Sequence, residues 1–211
     1  KASLIVLWGK FVEIVCLDLE GVLVPEIWIN FAERTGIDEL RATTRDIPDY
    51  DQLMAQRLAI LDQHDLGIED IQKVIATMAP MEGALEFVES LRTRYQVVIL
   101  SDTFYEFAKP LMAQLNWPTL FCHRLHVENA RISGYTLRMA DHKRAAVMAF
   151  KTLNFKVFAA GDSYNDTAML EEAELGVLFQ APDNVIAEFP HLPLSHSYQE
   201  LSEIFEKAKA G

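Results

Sequence analysis

The sequence predicts an α/β fold, a doubly wound and mostly parallel sheet that carries a small inserted helical cap. Short apolar runs typical of buried strands alternate with helical patterns along most of the chain. One long helical stretch, residues 26–79, interrupts this alternation directly after the first strand. Half of the 211 residues are hydrophobic, so one domain of this kind could bury a sizeable core.

The elements of the sheet follow from apolar runs bounded by turn residues. Two helical patterns, 82–94 and 143–153, repeat apolar residues at helical spacing between the strands. Residues 127–139 differ, since polar residues around Gly134 favour a small antiparallel hairpin. The predicted strands are 12–17, 96–100, 119–122, 156–160 and 176–179.

The helical stretch predicts three helices, 27–34, 50–62 and 68–78, separated by turn signals at Gly36, Pro48 and Gly67. We therefore expect an α/β core of residues 12–25 and 80–211 and a cap of residues 26–79.

Residues 1–11 precede the first predicted strand. The chain begins with Lys1 rather than Met, so we expect this segment to be upstream or artificial sequence. Its apolar part, 2–8, is far shorter than the roughly 20 residues of a membrane span, and it shows no cleavage site of a signal peptide.

The net charge of −12 argues against nucleic acid or an anionic membrane as the main partner. Two cysteines, Cys16 and Cys122, make neither a disulfide framework nor a metal pattern. We expect a cytoplasmic protein, monomeric or homodimeric, that acts on a small molecule.

Two carboxylates, Asp18 and Glu20, directly follow the first strand. The carboxyl ends of parallel strands are where open α/β folds bind their ligands. Carboxylates placed there are costly unless a cation faces them. The pair therefore suggests a nucleophile and an acid/base beside a divalent metal ion.

Further polar residues follow other predicted strands and meet the same sheet edge. Ser101 and Asp102 come after the second strand, and Lys143 begins a helix. Gly-Asp-Ser-Tyr-Asn-Asp, residues 161–166, follows the fourth strand. The recurrence of such residues at equivalent points of one sheet indicates a functional site far more specifically than a single motif does.

These residue types suit phosphoryl transfer, which depends on positioning and on neutralising negative charge. Asp18 could accept the phosphoryl group, and Glu20 could protonate the leaving alkoxide. Mg²⁺, which prefers oxygen ligands, could bind Asp18, Asp162 and the main-chain oxygen of Glu20. Lys143, or its neighbour Arg144, could hold the phosphoryl oxygens, and Ser101 could donate to them.

The motif set Asp-x-Glu-Gly, strand-end Ser, Lys and Gly-Asp-x-x-Asn-Asp resembles the haloacid dehalogenase superfamily. The helical insert after the first motif resembles its phosphoserine phosphatase branch. Within that branch, stretches 16–28, 99–105 and 160–166 are most similar to bacterial bifunctional members that also transfer the phosphoryl group to homoserine. The resemblance covers the chain from Val12 to its C-terminus.

The resemblance implies a Mg²⁺-dependent phosphatase for O-phospho-L-serine, with homoserine as a second acceptor. It implies a nucleophile and a proton donor, a metal set with a supporting acid, and a pocket for each charged group of the substrate. The catalytic roles fall on Asp18 and Glu20. The metal ligands implied are Asp18, Glu20 and Asp162, with Asp166 as the supporting acid. The substrate pocket implied consists of Glu26 for the ammonium, Arg57 for the carboxylate, and Ser101, Asp102, Lys143 and Asn165 for the phosphate.

Glu20 departs from the superfamily pattern, in which the second acid is usually Asp, and the longer side chain could alter the choice of acceptor. The alternative functions are a phosphatase of the same fold for another small phosphomonoester and a catalytically inactive protein that binds a phosphorylated ligand. Three histidines near predicted strand edges, His123, His126 and His142, lack a metal-ligand pattern with cysteine and are interpreted as structural or peripheral.

Overall fold

A seven-stranded sheet forms the centre of the protein in the computed structural model, which describes residues 12–43, 46–47 and 49–210. Its strand order is β4-β3-β2-β1-β5-β6-β7, and every neighbouring pair is parallel except β3 and β4. This arrangement confirms the predicted doubly wound, mostly parallel sheet. The strands are β1 (Val12–Leu17), β2 (Gln96–Phe104), β3 (Thr119–Glu128), β4 (Arg131–Thr136), β5 (Phe155–Gly161), β6 (Leu175–Phe179) and β7 (Leu194–Ser195).

Helices cover both faces of the sheet, and each face has its own apolar cluster. Residues 14–17 of the central strand β1 are fully buried because the alternate side chains enter opposite clusters. The helices are α1 (Ile27–Thr35), α2 (Tyr50–Gln63), α3 (Ile68–Ala76), α4 (Ala84–Arg92), α5 (Tyr105–Gln114), α6 (His142–Thr152), α7 (Tyr164–Glu172), α8 (Asp183–Glu188) and α9 (Tyr198–Ala210), with a short 3-10 helix at Asp38–Arg41.

Several elements differ from the sequence prediction. Strand β2 continues to Phe104 rather than ending at 100, and β3 is one long strand that includes the first arm of the hairpin. Helices α5, α7, α8 and α9 and the strand β7 were not predicted. Helix α5 contains Pro110, which weakens its helical pattern, and α8 and β7 are too short to show a clear period.

The helical insert, α1 to α3, contacts the core through the β3–β4 hairpin and through α5. The amide of Ile68 donates to the carbonyl of Ala130 at 2.9 Å, and the Tyr135 hydroxyl hydrogen-bonds to the carboxylate of Asp51. On α1 the Trp28 ring packs edge-on against Phe107 of α5, with centroids 5.3 Å apart. The division into a core of 12–25 and 80–211 and a cap of 26–79 remains a prediction.

The segment expected to be upstream sequence, residues 1–11, lies outside the described residues. Among the residues that the structure describes, no helix has both the length and the apolar character needed to cross a membrane. Both cysteines, Cys16 and Cys122, are buried free thiols.

Candidate active site

A tight turn after β1 presents the first two acids at the carboxyl edge of the sheet. The amide of Asp18 still donates to Ala160 of β5 at 3.0 Å, so Asp18 is held like a strand residue. Leu19 between the acids is fully buried in the core. Gly21 has φ +78°, and a Cβ there would come within 2.4 Å of the Asp162 carboxyl carbon. Only glycine therefore allows the turn and the approach of Asp162 together.

An irregularity in β2 places Ser101 and Asp102. Leu100 pairs with Phe121 of β3, but the next pair is Phe104 with His123, so β2 has two extra residues in this interval. Bulges of this kind redirect side chains next to active sites. Ser101 is buried, whereas the side chain of Asp102 is 43% exposed.

The start of α7 holds Asp166 in one orientation. Its Oδ2 accepts the main-chain N–H groups of Asp162 and Ser163 at 3.0 and 3.1 Å. Ser163 is the N-cap of α7, so these bonds also satisfy amides that a helix terminus leaves without partners. Asp166 is fully buried, and its other oxygen, Oδ1, accepts a hydrogen bond from the side chain of Lys143.

Lys143, near the start of α6, joins three carboxylates. Its Nζ lies 2.9 Å from Asp18 Oδ1, 2.7 Å from Asp166 Oδ1 and 3.0 Å from Asp102 Oδ2. Burial alone would lower the pKa of Lys143, but the three carboxylates raise it well above its usual value. The neighbouring Arg144 points elsewhere and pairs with Glu172 at 3.2 Å. Lys143 is therefore the residue that offers positive charge to this edge.

In the described part of the chain, the acids around Lys143 outnumber this cation. Carboxylate oxygens of Asp18, Asp162 and Asp166 lie within 4.8 Å of one another. Burial, followed by the charge of Asp166, raises the pKa of Asp162 to about 7 and that of Asp18 well above its usual value. Among the described residues no cation pairs with Asp162. Clustered, under-neutralised oxygens fit a hard divalent cation such as Mg²⁺.

Glu20 is partly buried on the insert side of this cluster. Its Oε2 accepts the amide of Ile27 at the start of α1, at 2.8 Å. Burial and the charge of Glu26 raise the pKa of Glu20 to about 7. A carboxyl group that titrates near neutrality is suited to give and take protons at physiological pH.

Arg57 of α2 is buried over the same cleft, near Glu20 and Glu26. Its guanidinium stacks on the Trp28 ring at 4.4 Å and donates to the carbonyl of Ala42 at 2.9 Å. Nε has no hydrogen-bond partner, and no carboxylate among the described residues forms an ion pair with Arg57. Burial lowers the pKa of Arg57 to about 10, which leaves it charged.

The structure brings two of the three histidines into the site. His142 Nε2 lies 2.9 Å from Asp102 Oδ1, and His123 Nε2 lies 3.8 Å from the same oxygen. Asn165 donates to Asp102 Oδ2 at 2.8 Å. Of the two sequence interpretations, structural or peripheral, the structural one fits His123 and His142, because the long strand β3 carries His123 back to this edge. Only His126, which bonds to Thr136, is exposed and remote.

The chain matches the haloacid dehalogenase-like hydrolase family over residues 21–171. This segment includes Ser101, Lys143, Asp162 and Asp166. A sheet with acids, a serine and a lysine at one carboxyl edge defines the same class. The chain therefore belongs to the haloacid dehalogenase-like hydrolase family.

Relatives within this class carry more specific names. The chain is 65% identical over 199 residues to "Phosphoserine phosphatase ThrH" of Pseudomonas aeruginosa, a match that covers 94% of this chain and 97% of the relative. It is 66% identical to a "Phosphoserine phosphatase" of Pseudomonas syringae pv. tomato, covering 93% of this chain and 84% of the relative.

Solved structures agree with the fold. A substrate-bound phosphoserine phosphatase superposes with a TM-score of 0.74 at 20% identity and covers 93% of this chain and 99% of that one. At this identity the likeness concerns the fold alone.

Proposed function

We propose that the protein is a Mg²⁺-dependent phosphoserine phosphatase that forms an aspartyl-phosphate on Asp18 and also transfers the phosphoryl group to homoserine. The observation that carries the substrate assignment is Arg57, a buried guanidinium without a carboxylate partner in the described structure. The names of the two Pseudomonas relatives support the same substrate.

Arg57 suits the carboxylate of an amino-acid substrate. A guanidinium binds a carboxylate through two parallel N–H bonds, and stacking on Trp28 fixes the plane of the fork. A charge that is 7% exposed and lacks an ion pair is costly until such a ligand arrives. Glu26, exposed at the start of α1, supplies the opposite charge for the substrate ammonium.

The phosphoryl group belongs at the other end of the cleft. Lys143 attracts its oxygens, and the buried Ser101 hydroxyl and the Asn165 amide supply further donors. Lys143 engages Oδ1 of Asp18, which leaves Oδ2 to attack phosphorus. Glu20 then protonates the leaving alkoxide and later accepts a proton from water or homoserine.

Asp18, the main-chain oxygen of Glu20 and Asp162 would hold Mg²⁺, while Asp166 orients this group through its two main-chain bonds. A bound Mg²⁺ would neutralise negative charge on the transferring phosphoryl group. The free thiols Cys16 and Cys122 are consistent with a reducing cytoplasm, where we place the enzyme.

We expect Arg57→Met to raise KM for O-phospho-L-serine by about tenfold to 100-fold, because one buried charge-assisted pair is lost. Turnover of a phosphomonoester without a carboxylate should change little. Phosphate release measured with both substrates and Mg²⁺ checks this. The control is Arg34→Met, which alters an exposed arginine of α1 that donates to the Thr77 hydroxyl. If the wild-type enzyme shows no preference for phosphoserine, the alternative of a phosphatase for another small phosphomonoester is favoured. Stoichiometric binding of phosphoserine without turnover would instead indicate a binding protein.

We expect added homoserine to divert part of the phosphoryl group from water to the alcohol. Serine should then exceed free phosphate, and the difference should equal the phosphohomoserine formed, because both products arise from one Asp18 intermediate. Chromatographic measurement of all three products checks this balance. Equal serine and phosphate at saturating homoserine would exclude the transferase half of the proposal.

A further inference from the structure

We propose that His142 is a positioning residue for phosphoryl transfer. It holds the Asp102 carboxylate in place, and Asp102 in turn anchors Lys143 and Asn165. His123 and Arg138 support His142 from the side away from the phosphate. The inference rests on the proposed function, since it concerns the phosphate end of the same site. None of the three outer residues, His123, Arg138 and His142, belongs to the motifs from which the site was predicted.

Hydrogen-bond donors fix the proton on each imidazole. The main-chain N–H of Arg138 donates to His123 Nδ1 at 3.1 Å, and the Arg138 guanidinium lies 3.3 Å from His142 Nδ1. Amide and guanidinium groups can only donate, so both Nδ1 atoms must accept. In the neutral rings the proton therefore resides on Nε2, the atom that faces Asp102.

The neutral state follows from the surroundings of His142. The ring is 3% exposed, and burial lowers its pKa in spite of the nearby Asp102. Protonation at Nδ1 would also place an N–H against the Arg138 guanidinium. His123 and His142 pack edge to face with centroids 4.5 Å apart, which restricts rotation of either ring.

Asp102 receives donors on both oxygens. His142 Nε2 lies 2.9 Å from Oδ1, with His123 at 3.8 Å, while Asn165 Nδ2 and Lys143 Nζ lie 2.8 and 3.0 Å from Oδ2. Lys143 and these donors hold the pKa of Asp102 below its usual range although burial opposes this. The carboxylate thus connects the phosphate-binding side chains to a buried and rigid pair of rings.

The three protons of Lys143 are all engaged, by Asp18, Asp102 and Asp166. A phosphoryl oxygen must therefore share one of them. Asp102 forms the longest of the three contacts, and its side chain is the most exposed of the three partners. Because His142 holds the opposite oxygen of Asp102, this contact can lengthen without the carboxylate moving into the place of the phosphate.

Asp102, His123 and His142 also lie close enough to be considered as metal ligands. A metal on both Nε2 atoms would require the ring protons to move to Nδ1. Both Nδ1 atoms face donors of Arg138, so the ligand form would create two donor-to-donor contacts. The geometry therefore favours a hydrogen-bond network.

The test compares His142→Leu, which removes the donor, with His142→Gln, which keeps an N–H at similar reach. We expect His142→Leu to lower kcat for phosphoserine and to weaken binding of inorganic phosphate by about tenfold or more each. His142→Gln should recover most of the turnover and most of the phosphate affinity. The rise in KM caused by Arg57→Met should be the same in the His142 variants as in the wild type. His126→Leu, on the same hairpin but remote from Asp102, is the matched control.

Two readouts do not depend on turnover of phosphoserine. Phosphate affinity in the presence of Mg²⁺ is measured by calorimetry, and the ring tautomers by imidazole ¹⁵N shifts of the wild-type protein. Nε2–H tautomers in both rings support the proposal, and an Nδ1–H tautomer of His142 overturns it. Equal losses in the Leu and Gln variants, or wild-type phosphate affinity in His142→Leu, also overturn it. A wild-type enzyme inactive on phosphoserine would refute the proposed function while the phosphate measurement still decides this inference.

Discussion

Asp18→Asn should lower phosphate release from O-phospho-L-serine by about 10³-fold or more, because an amide oxygen is too weak a nucleophile to capture the phosphoryl group. Burial and the neighbouring acids raise the pKa of Asp18, so its charge is disfavoured in the folded protein. The neutral amide should therefore leave the melting temperature of the metal-free protein unchanged or higher.

The measurement pairs a phosphate-release assay with intact-mass spectrometry for a phosphorylated chain. Asp62→Asn changes an exposed acid of α2 and should behave as the wild type in both. Activity of Asp18→Asn within about tenfold of the wild type would contradict a covalent mechanism through this residue.

Lys143→Met should both inactivate and destabilise the protein. It removes the cation that contacts Asp18, Asp102 and Asp166, two of which are buried. Breaking a buried ion pair by removing one partner costs about 3–5 kcal/mol, which should appear in the free energy of unfolding at neutral pH. Turnover should fall by about 10²-fold to 10³-fold, since the phosphoryl oxygens lose their nearest cation.

The neighbouring Arg144→Met provides the matched control. Arg144 pairs with Glu172 at the surface, and such pairs contribute at most about 1 kcal/mol. Denaturant unfolding and phosphate release on both variants distinguish the two residues. Comparable losses in the two variants, or normal activity of Lys143→Met, would show that Lys143 does not serve the phosphoryl group.

The acids and the lysine could be located from sequence because each follows or begins a recognisable element. Asp18 and Asp162 directly follow apolar strands, and Lys143 opens an amphipathic helix. Parallel strands carry their carboxyl ends to one edge, so proximity follows from the strand assignment. The sequence left Lys143 and Arg144 as alternative candidates for holding the phosphoryl oxygens. The structure distinguishes them, because Lys143 is buried among the acids and Arg144 is exposed.

The histidine network had no comparable signal. The β3–β4 hairpin separates His123 from His142 along the chain, and their approach to Asp102 depends on the length of β3 and on the two extra residues in β2. The signal that could have been used is the carboxylate at Asp102 itself. A charged residue next to a serine that is proposed to bind phosphate needs partners, and these come from elsewhere in the chain.

The alternation of the main strands and helices, the candidate catalytic acids and the family followed from the sequence itself, since periodic apolar runs and strand-end motifs are local. Tertiary structure alone decided that the Arg57 guanidinium stacks on Trp28 without a carboxylate partner among the described residues, and that His142 hydrogen-bonds to Asp102. Both contacts depend on how the helical insert and the hairpin pack on the sheet. Such packing brings together residues that are far apart in the chain, and no local sequence pattern contains the burial and hydrogen-bond geometry that result.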